Sequence, residues 1–169
     1  MTTETLNISE AQLVEYSQAH NEPSWLTELR KEALQLTETL EMPKPDKTKI
    51  TRWDFDSFKQ HETTGNLYES LEESPSEVRE IIDVENTENL VIQHNNTLAF
   101  TKVSDSAQND GVVVEGLAEA LINHPDLVKK YFMNETVTVD EHRLTALHTA
   151  LLNGCLLYTS PSPRDKRQS

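Results

Sequence analysis

The amino-acid sequence predicts an α+β fold, with a helical N-terminal region, a small β element and further helices. Apolar residues recur at spacings of mostly three and four between residues 25 and 40 and again between residues 144 and 152, which is typical of amphipathic helices. Two β-favouring runs flank Asn95 and Asn96, residues that tolerate positive φ, and this pattern predicts a β-hairpin. Helix and strand patterns thus occupy separate stretches of the chain, as in α+β proteins.

Residues 1–60 are predicted to hold two helices and an extended arm. Ser9 followed by Gln12 has the spacing of a capping box, so the first helix begins there and runs to about His20. The second helix has an apolar stripe, formed by Trp25, Leu26, Leu29, Ala33, Leu36 and Leu40. We expect Trp25 to be buried together with Leu29 and Leu36, because a lone amphipathic helix would leave this stripe in water.

The arm covers residues 42–58, where Pro43 and Pro45 remove backbone donors and disfavour helix. Its three aromatic residues, Trp53, Phe55 and Phe58, are either anchors packed on the body of the protein or exposed contacts for a partner. Large aromatic side chains are usually buried, which favours anchors.

Residues 61–154 are predicted to form a small α+β region. Residues 61–89 are polar and acidic, as in a solvated loop or helix face. The hairpin strands are Leu90–His94 and Thr97–Val103, and residues 112–114 offer a third strand. Further helices are predicted over residues 116–123, from Pro125 onward, and after Asp140 up to a stop at Asn153-Gly154.

The sequence offers no recognisable catalytic, cofactor-binding or metal-binding residues. The segment DSAQNDG, residues 105–111, is predicted to be a polar turn, because a calcium loop would place its glycine one position earlier and an oxygen donor at Ala107. The histidines lack helical metal-site spacing and stand apart at His20, His61, His94, His124, His142 and His148. A hydrolase that pairs a carboxylate with His148 is the weakest alternative, and we expect no enzyme.

Composition argues for a protein partner rather than nucleic acid or membrane. The chain carries 29 acidic residues against 15 basic ones, for a net charge of −14, whereas polyphosphate and anionic lipid surfaces are bound by clustered Lys and Arg. No apolar run approaches the roughly 20 residues that span a bilayer. Residues 1–154 contain no cysteine, so disulfides and thiolate metal sites are not expected there, and a cytoplasmic location is predicted.

The last fifteen residues differ in composition from the rest, since residues 155–169 hold the one cysteine and a basic finish. Back-translated, Cys155–Asp165 resembles the in-frame product of a transposase adapter used for sequencing libraries, and a barcode would account for most of residues 166–169. We therefore expect residues 155–169 to be a non-native, adapter-derived tail without specific packing contacts. The alternative is a native strand, CLLYTS, with a basic tail after it.

Four segments, in order, carry a resemblance to a known family: NEPSWLTELRKEAL, MPKPDKTKITRWDF, GVVVEGLAEALINHPDLVKKYFM and DEHRLTALHTALLNG. Together they resemble the N-terminal part of the SufB/SufD family, scaffold subunits of iron-sulfur cluster assembly. The short leader before Trp25 and the Lys-Thr-Lys-Ile-x-x-Trp arm favour the SufD branch.

The resemblance implies a non-catalytic scaffold fragment whose parent continues into a right-handed parallel β-helix. It implies SufB-like and SufC-like partner subunits, and a parent complex that handles iron-sulfur clusters while this fragment holds no cofactor. The alternative is an independent acidic α+β adaptor, whose Trp25–Leu40 stripe or Trp53 arm binds a partner.

Overall fold

A computed structural model describes residues 8–55, 68–83 and 87–159, and these ranges have the α+β architecture predicted from the sequence. The α-helices are α1 (Glu10–Ala19), α2 (Ser24–Thr39), α3 (Ser76–Arg79), α4 (Asp105–Asn109), α5 (Leu117–Asn123), α6 (Pro125–Tyr131) and α7 (Arg143–Leu151). The strands are β1 (Leu90–His94), β2 (Thr97–Lys102), β3 (Val113–Gly116) and β4 (Leu156–Thr159). A short 3₁₀ helix covers Leu71–Glu73.

The chain divides into two compact units. The helical unit combines residues 1–61 with residues 121–152, and the sheet unit combines residues 62–120 with residues 153–169. Helix α5 begins in the sheet unit and ends in the helical unit.

Helix α1 begins with the predicted capping box. The Ser9 hydroxyl accepts a hydrogen bond from the backbone N–H of Gln12 at 3.3 Å, and the Gln12 side chain accepts one from the backbone N–H of Ser9 at 2.8 Å. The helix ends at His20, after which Asn21 takes the left-handed conformation with φ of 52°. Two otherwise unpaired donors at the helix start are thereby satisfied.

Helix α2 packs mainly on α7, and the face that it buries differs from the predicted stripe. Its buried residues are Leu26, Arg30, Ala33 and Thr37, whereas Trp25, Leu29 and Leu36 remain partly exposed. The expectation that Trp25 is buried with Leu29 and Leu36 is therefore wrong. Small residues explain the rotation: Ala33 of α2 and two alanines of α7, Ala146 and Ala150, are fully buried, and alanines let helices approach more closely than an indole would.

Helix α7 starts three residues after Asp140, with His142 as its N-cap. His142 Nδ1 accepts from the backbone N–H of Thr145 at 3.1 Å, and Thr145 Oγ1 accepts from the backbone N–H of His142 at 3.1 Å.

The core of the helical unit forms where Leu13, Ala33 and Ala150 meet. Partly buried apolar side chains surround them, from Ile8, Leu34, Val139 and Leu151.

The sheet unit contains the predicted hairpin. Strands β1 and β2 pair antiparallel around Asn95-Asn96, and Asn95 has a φ of 54°. The register shifts between Ile92 and Gln93, so Ala99 is an extra residue on β2. Ala99 is buried, and its carbonyl accepts a hydrogen bond from the backbone N–H of Tyr68 at 2.8 Å. The bulge thus connects the hairpin to the preceding segment.

The third predicted strand forms one residue later than expected and in a different sheet. Among the described residues, β3 pairs antiparallel with β4, from Val113 opposite Thr159 to Gly116 opposite Leu156, so the strands make two two-stranded sheets rather than one three-stranded element. The apolar, β-favouring residues 156–159 supply a ladder partner that the hairpin does not.

This pairing also corrects the expectation that residues 155–169 make no specific packing contacts. That expectation is wrong for Cys155–Thr159, since β4 pairs with β3 and the Cys155 carbonyl accepts from the backbone N–H of Leu117 at 2.8 Å. Residues 160–169 lie outside the described ranges. The adapter-like origin of the tail stays a prediction.

Residues 105–109 are helical rather than a simple polar turn, because Ser104 caps them. The Ser104 hydroxyl accepts from the backbone N–H of Ala107 at 3.3 Å.

Gly154 does not end α7 but lets the chain pass close to the hairpin turn. A β-carbon at this position would lie 2.5 Å from the backbone of Asn96. The hairpin therefore needs glycine at this position.

Candidate functional site: a buried arginine cluster and an exposed cationic arm

The strongest polar constellation of the helical unit is a buried ion pair between Arg30 and Glu22. Arg30 Nε donates to Glu22 Oε2 at 2.8 Å, and Arg30 Nη2 donates to Glu22 Oε1 at 2.6 Å. Only 3% of the Arg30 side chain and 8% of the Glu22 side chain is exposed. The pairing is bidentate, which is the strongest geometry for a guanidinium and a carboxylate.

Helix α1 contributes to the same cluster. Ser17 Oγ donates to Glu22 Oε2 at 2.6 Å and lies 2.7 Å from the hydroxyl of Thr27. The Arg30 guanidinium stands 5.3 Å from the centroid of the Tyr16 ring, a cation–π distance. Burial raises the pKa of the Tyr16 phenol, against the opposing effect of the nearby Arg30 charge.

Arg30 also caps the end of α7. Its Nη1 donates to the Ala150 carbonyl at 3.0 Å, and its Nη2 donates to the Leu152 carbonyl at 2.6 Å. Carbonyls at a helix C-terminus have no partner within the helix, and a cation there also interacts favourably with the helix dipole. One side chain of α2 thereby holds both the α1–α2 turn and the end of α7.

This cluster has a structural rather than a chemical character. A guanidinium does not deprotonate in proteins, and both Glu22 oxygens accept hydrogen bonds from Arg30 or Ser17. The apolar stripe of α2 does not include Arg30, because a charged residue does not count toward such a stripe. The buried positions 26, 30, 33 and 37 share one helix face, but two of them are polar, so the apolar pattern does not mark that face.

The histidines of the described ranges have different surroundings. No group of three His, Cys, Asp or Glu side chains there lies close enough to hold a metal ion. His148 is exposed on α7, His142 serves as an N-cap, and His20 stacks on Tyr16 with ring centroids 4.0 Å apart. His61 lies outside the described residues.

The arm after α2 is anchored at its base. The Glu41 carbonyl accepts from the backbone N–H of Arg143 at 2.9 Å, and the Thr37 carbonyl accepts from Arg143 Nε at 3.0 Å. Lys44 Nζ lies 2.7 Å from Glu41 Oε2 and lowers the pKa of that carboxyl. The arm therefore begins at a fixed point beside the start of α7.

Beyond that point the arm is exposed. Trp53 is 60% exposed, so the anchor interpretation is wrong for this residue. The Trp53 ring lies 5.8 Å from the partly buried ring of Phe55, and Phe58 falls outside the described residues. Tryptophan is enriched at protein–protein interfaces, which makes the exposed Trp53 ring a candidate contact.

None of the helices in the described part of the chain is long and apolar enough to cross a membrane.

Comparison with known proteins gives one consistent family. Residues 11–163 match the family described as the SufBD protein N-terminal region. The iron-sulfur cluster assembly protein SufD of Bacillus subtilis is 45% identical over 150 residues, which cover 88% of this chain and 34% of that protein.

More distant relatives belong to the same family. An iron-sulfur cluster assembly SufBD family protein of Pyrococcus horikoshii is 26% identical over 166 residues, covering 90% of this chain and 37% of that protein. One from Mycobacterium tuberculosis is 24% identical over 165 residues, covering 91% and 19%. The chain thus spans about a third or less of the length of these relatives.

Proposed function

The chain belongs to the SufBD family, and on that premise we propose that it is the N-terminal region of a SufD-like scaffold subunit of iron-sulfur cluster assembly. The observation that carries the proposal is the 45% identity to the Bacillus subtilis SufD protein across 88% of this chain. Identity at that level across most of the chain favours a shared fold and a shared place in the parent protein.

We propose that the parent protein acts in the cytoplasm beside SufB-like and SufC-like subunits, and that this region is non-catalytic. The Arg30 cluster supports a structural role, because its groups are engaged with one another and with helix carbonyls. In this proposal the iron-sulfur cluster under assembly is cargo of the complex. Helices α2 and α7 provide a rigid base for the arm.

A chimaera tests the proposal. Residues 1–154 replace the matching region of Bacillus subtilis SufD in cells depleted of their own SufD, and the activity of an iron-sulfur enzyme is measured in extracts. We expect activity close to that of cells with the intact subunit. A chimaera that accumulates normally but restores no activity contradicts the proposal.

The second candidate, an independent acidic adaptor, draws support from the exposed Trp53. Co-purification separates the two. If the chimaera assembles with SufB and SufC and this assembly survives Trp53→Ala, the scaffold role is favoured. If the isolated chain instead captures a different protein through Trp53, the adaptor role is favoured.

We also propose that residues 1–154 do not themselves hold an iron-sulfur cluster. Protein-bound clusters are held mainly by cysteine thiolates, and these residues contain no cysteine. The exposed Cys155 offers a single thiolate. Anaerobic reconstitution with iron and sulfide, and then desalting, is expected to leave no visible charge-transfer absorption. A stoichiometric cluster that is lost on Cys155→Ser would contradict this proposal.

A further inference from the structure

The segment from Pro43 to Phe55, here called the cationic arm, differs in charge from the rest of the chain. It contains four basic residues, Lys44, Lys47, Lys49 and Arg52, against Asp46 and Asp54. The whole chain has a net charge of −14, so this local excess of positive charge stands out.

Three of these cations are available to a partner. Lys47, Lys49 and Arg52 are exposed, and within the described ranges no ion pair involves them. Lys44 is the exception, because it pairs with Glu41. The exposed Trp53 indole directly follows Arg52. The arm thus presents charge and a large apolar ring side by side.

The backbone of the arm is restricted in conformation, which also suits it to docking. Pro43 and Pro45 restrict its conformations, and Arg143 fixes its base through the Glu41 carbonyl at 2.9 Å. A segment that is already restricted loses less conformational entropy when it binds, which raises affinity for a given set of contacts.

We propose that the cationic arm is a docking segment for an acidic segment of another protein, which pairs with Lys47, Lys49 and Arg52 and covers the Trp53 ring. Charge complementarity selects this partner. A nucleic acid would place a continuous row of phosphates against a protein of strongly negative net charge, and three unpaired cations are few for that repulsion. A second copy of the chain brings its whole net charge of −14 to the contact. A short acidic segment brings only a few negative charges, which the three cations of the arm can match, so the repulsion is smallest for this partner.

The experiment titrates the full chain with three probes. They are a synthetic peptide of glutamates interrupted by leucines, its analogue with glutamine for every glutamate, and a thymidine oligonucleotide of equal length. Trp53 emission is recorded in a Trp25→Phe background, so that one tryptophan reports. We expect a saturable blue shift with the glutamate peptide and none with the glutamine analogue.

Substitutions test whether the glutamate peptide binds at the cationic arm. Lys47→Gln/Lys49→Gln is expected to weaken binding of the glutamate peptide by about two- to fivefold for each cation removed. Trp53→Ala, measured by calorimetry, is expected to weaken it by about tenfold or more. The matched control is Lys129→Gln/Lys130→Gln, which removes two exposed cations from α6 and leaves affinity unchanged. All altered arm residues are exposed, so the urea midpoint stays constant.

Four outcomes overturn the proposal. The first is the absence of saturation by the glutamate peptide up to a concentration on the order of 1 mM. The second is an equal loss of affinity in the α6 control. The third is tighter binding of the oligonucleotide than of the peptide, which assigns the arm to nucleic acid. The fourth is self-association that disappears with Trp53→Ala, which assigns it to a second copy.

Discussion

In the helical unit, the parts that hold one another are far apart in sequence. Arg30 donates to the Leu152 carbonyl, 122 residues later in the chain. The buried core of this unit includes the small side chains of Ala33, Ala146 and Ala150. In the sheet unit, β1 and β2 are joined by a two-residue turn, and the sheets are held by backbone ladders. The helical unit should therefore respond strongly to single side-chain changes, whereas the sheet unit should respond to changes in its backbone pairing.

The largest effect is expected for Arg30→Met in the helical unit. The change leaves the Glu22 carboxylate buried without its cation and removes the donors to Ala150 and Leu152. Breaking a buried pair from one side costs about 3–5 kcal/mol of unfolding free energy, measured by urea denaturation.

Two further variants sharpen that result. In Arg30→Met/Glu22→Met the unpaired charge is gone, so we expect a smaller loss than in Arg30→Met alone. Arg52→Met, at an exposed position, is expected to change stability by no more than about 0.5 kcal/mol. If Arg30→Met cost no more than Arg52→Met, the cluster would not be what closes α2 onto α7.

The next effect compares two neighbours on α2. Leu26 is 1% exposed and Trp25 is partly exposed, so Leu26→Ala is expected to cost about 3 kcal/mol and Trp25→Ala about 1–2 kcal/mol. The smaller side chain then contributes more, because it is the one that is buried. The opposite order in urea denaturation would restore the predicted stripe as the buried face.

A backbone change tests the sheet unit. A chain that ends after Gly154 lacks β4, and β3 loses its ladder partner among the described residues. We expect amide exchange in β3 to become faster, by an amount corresponding to about 1–3 kcal/mol, while β1 and β2 change little.

The control for that truncation is a chain that ends after Thr159, which keeps β4 and should keep the protection of β3. Unchanged exchange in both truncated chains would mean that residues 155–159 add no stability. In that case the pairing of β4 with β3 would contribute no measurable stability, as expected for a tail without specific contacts.

Local sequence patterns predicted the elements whose causes are local. The Ser9–Gln12 capping box, the Asn95-Asn96 turn and the apolar spacing of α7 each depend on residues a few positions apart. Short elements with weaker signals were missed, and α4 is one, because a single cap at Ser104 decides it. The fold class could be read from such patterns.

The partners of the elements could not be predicted in the same way. Nothing in the apolar pattern of α2 marks Arg30 as the residue that meets α7, since the reason lies about 120 residues away at Ala150. The choice of β4 over the hairpin as the partner of β3 likewise depends on the folded arrangement. Burial statistics also misjudged Trp53, because they describe average tryptophans and not one on an extended arm.

The smallest expected effect is the response of the helical unit to alkaline pH. Burial raises the pKa of Tyr16 above its ordinary value of 10.0, so the folded state favours the neutral phenol. That contribution to stability is fully present below pH 10, falls as the unfolded chain ionises, and is lost as the pH rises through the folded-state pKa. Tyr16→Phe should therefore flatten the alkaline part of the stability curve, measured as the urea midpoint against pH. Tyr158→Phe, which removes a phenol that is 63% exposed on β4, should leave the curve as it is. An equal flattening in both variants would mean that the decline comes from tyrosines in general and not from burial beside Arg30.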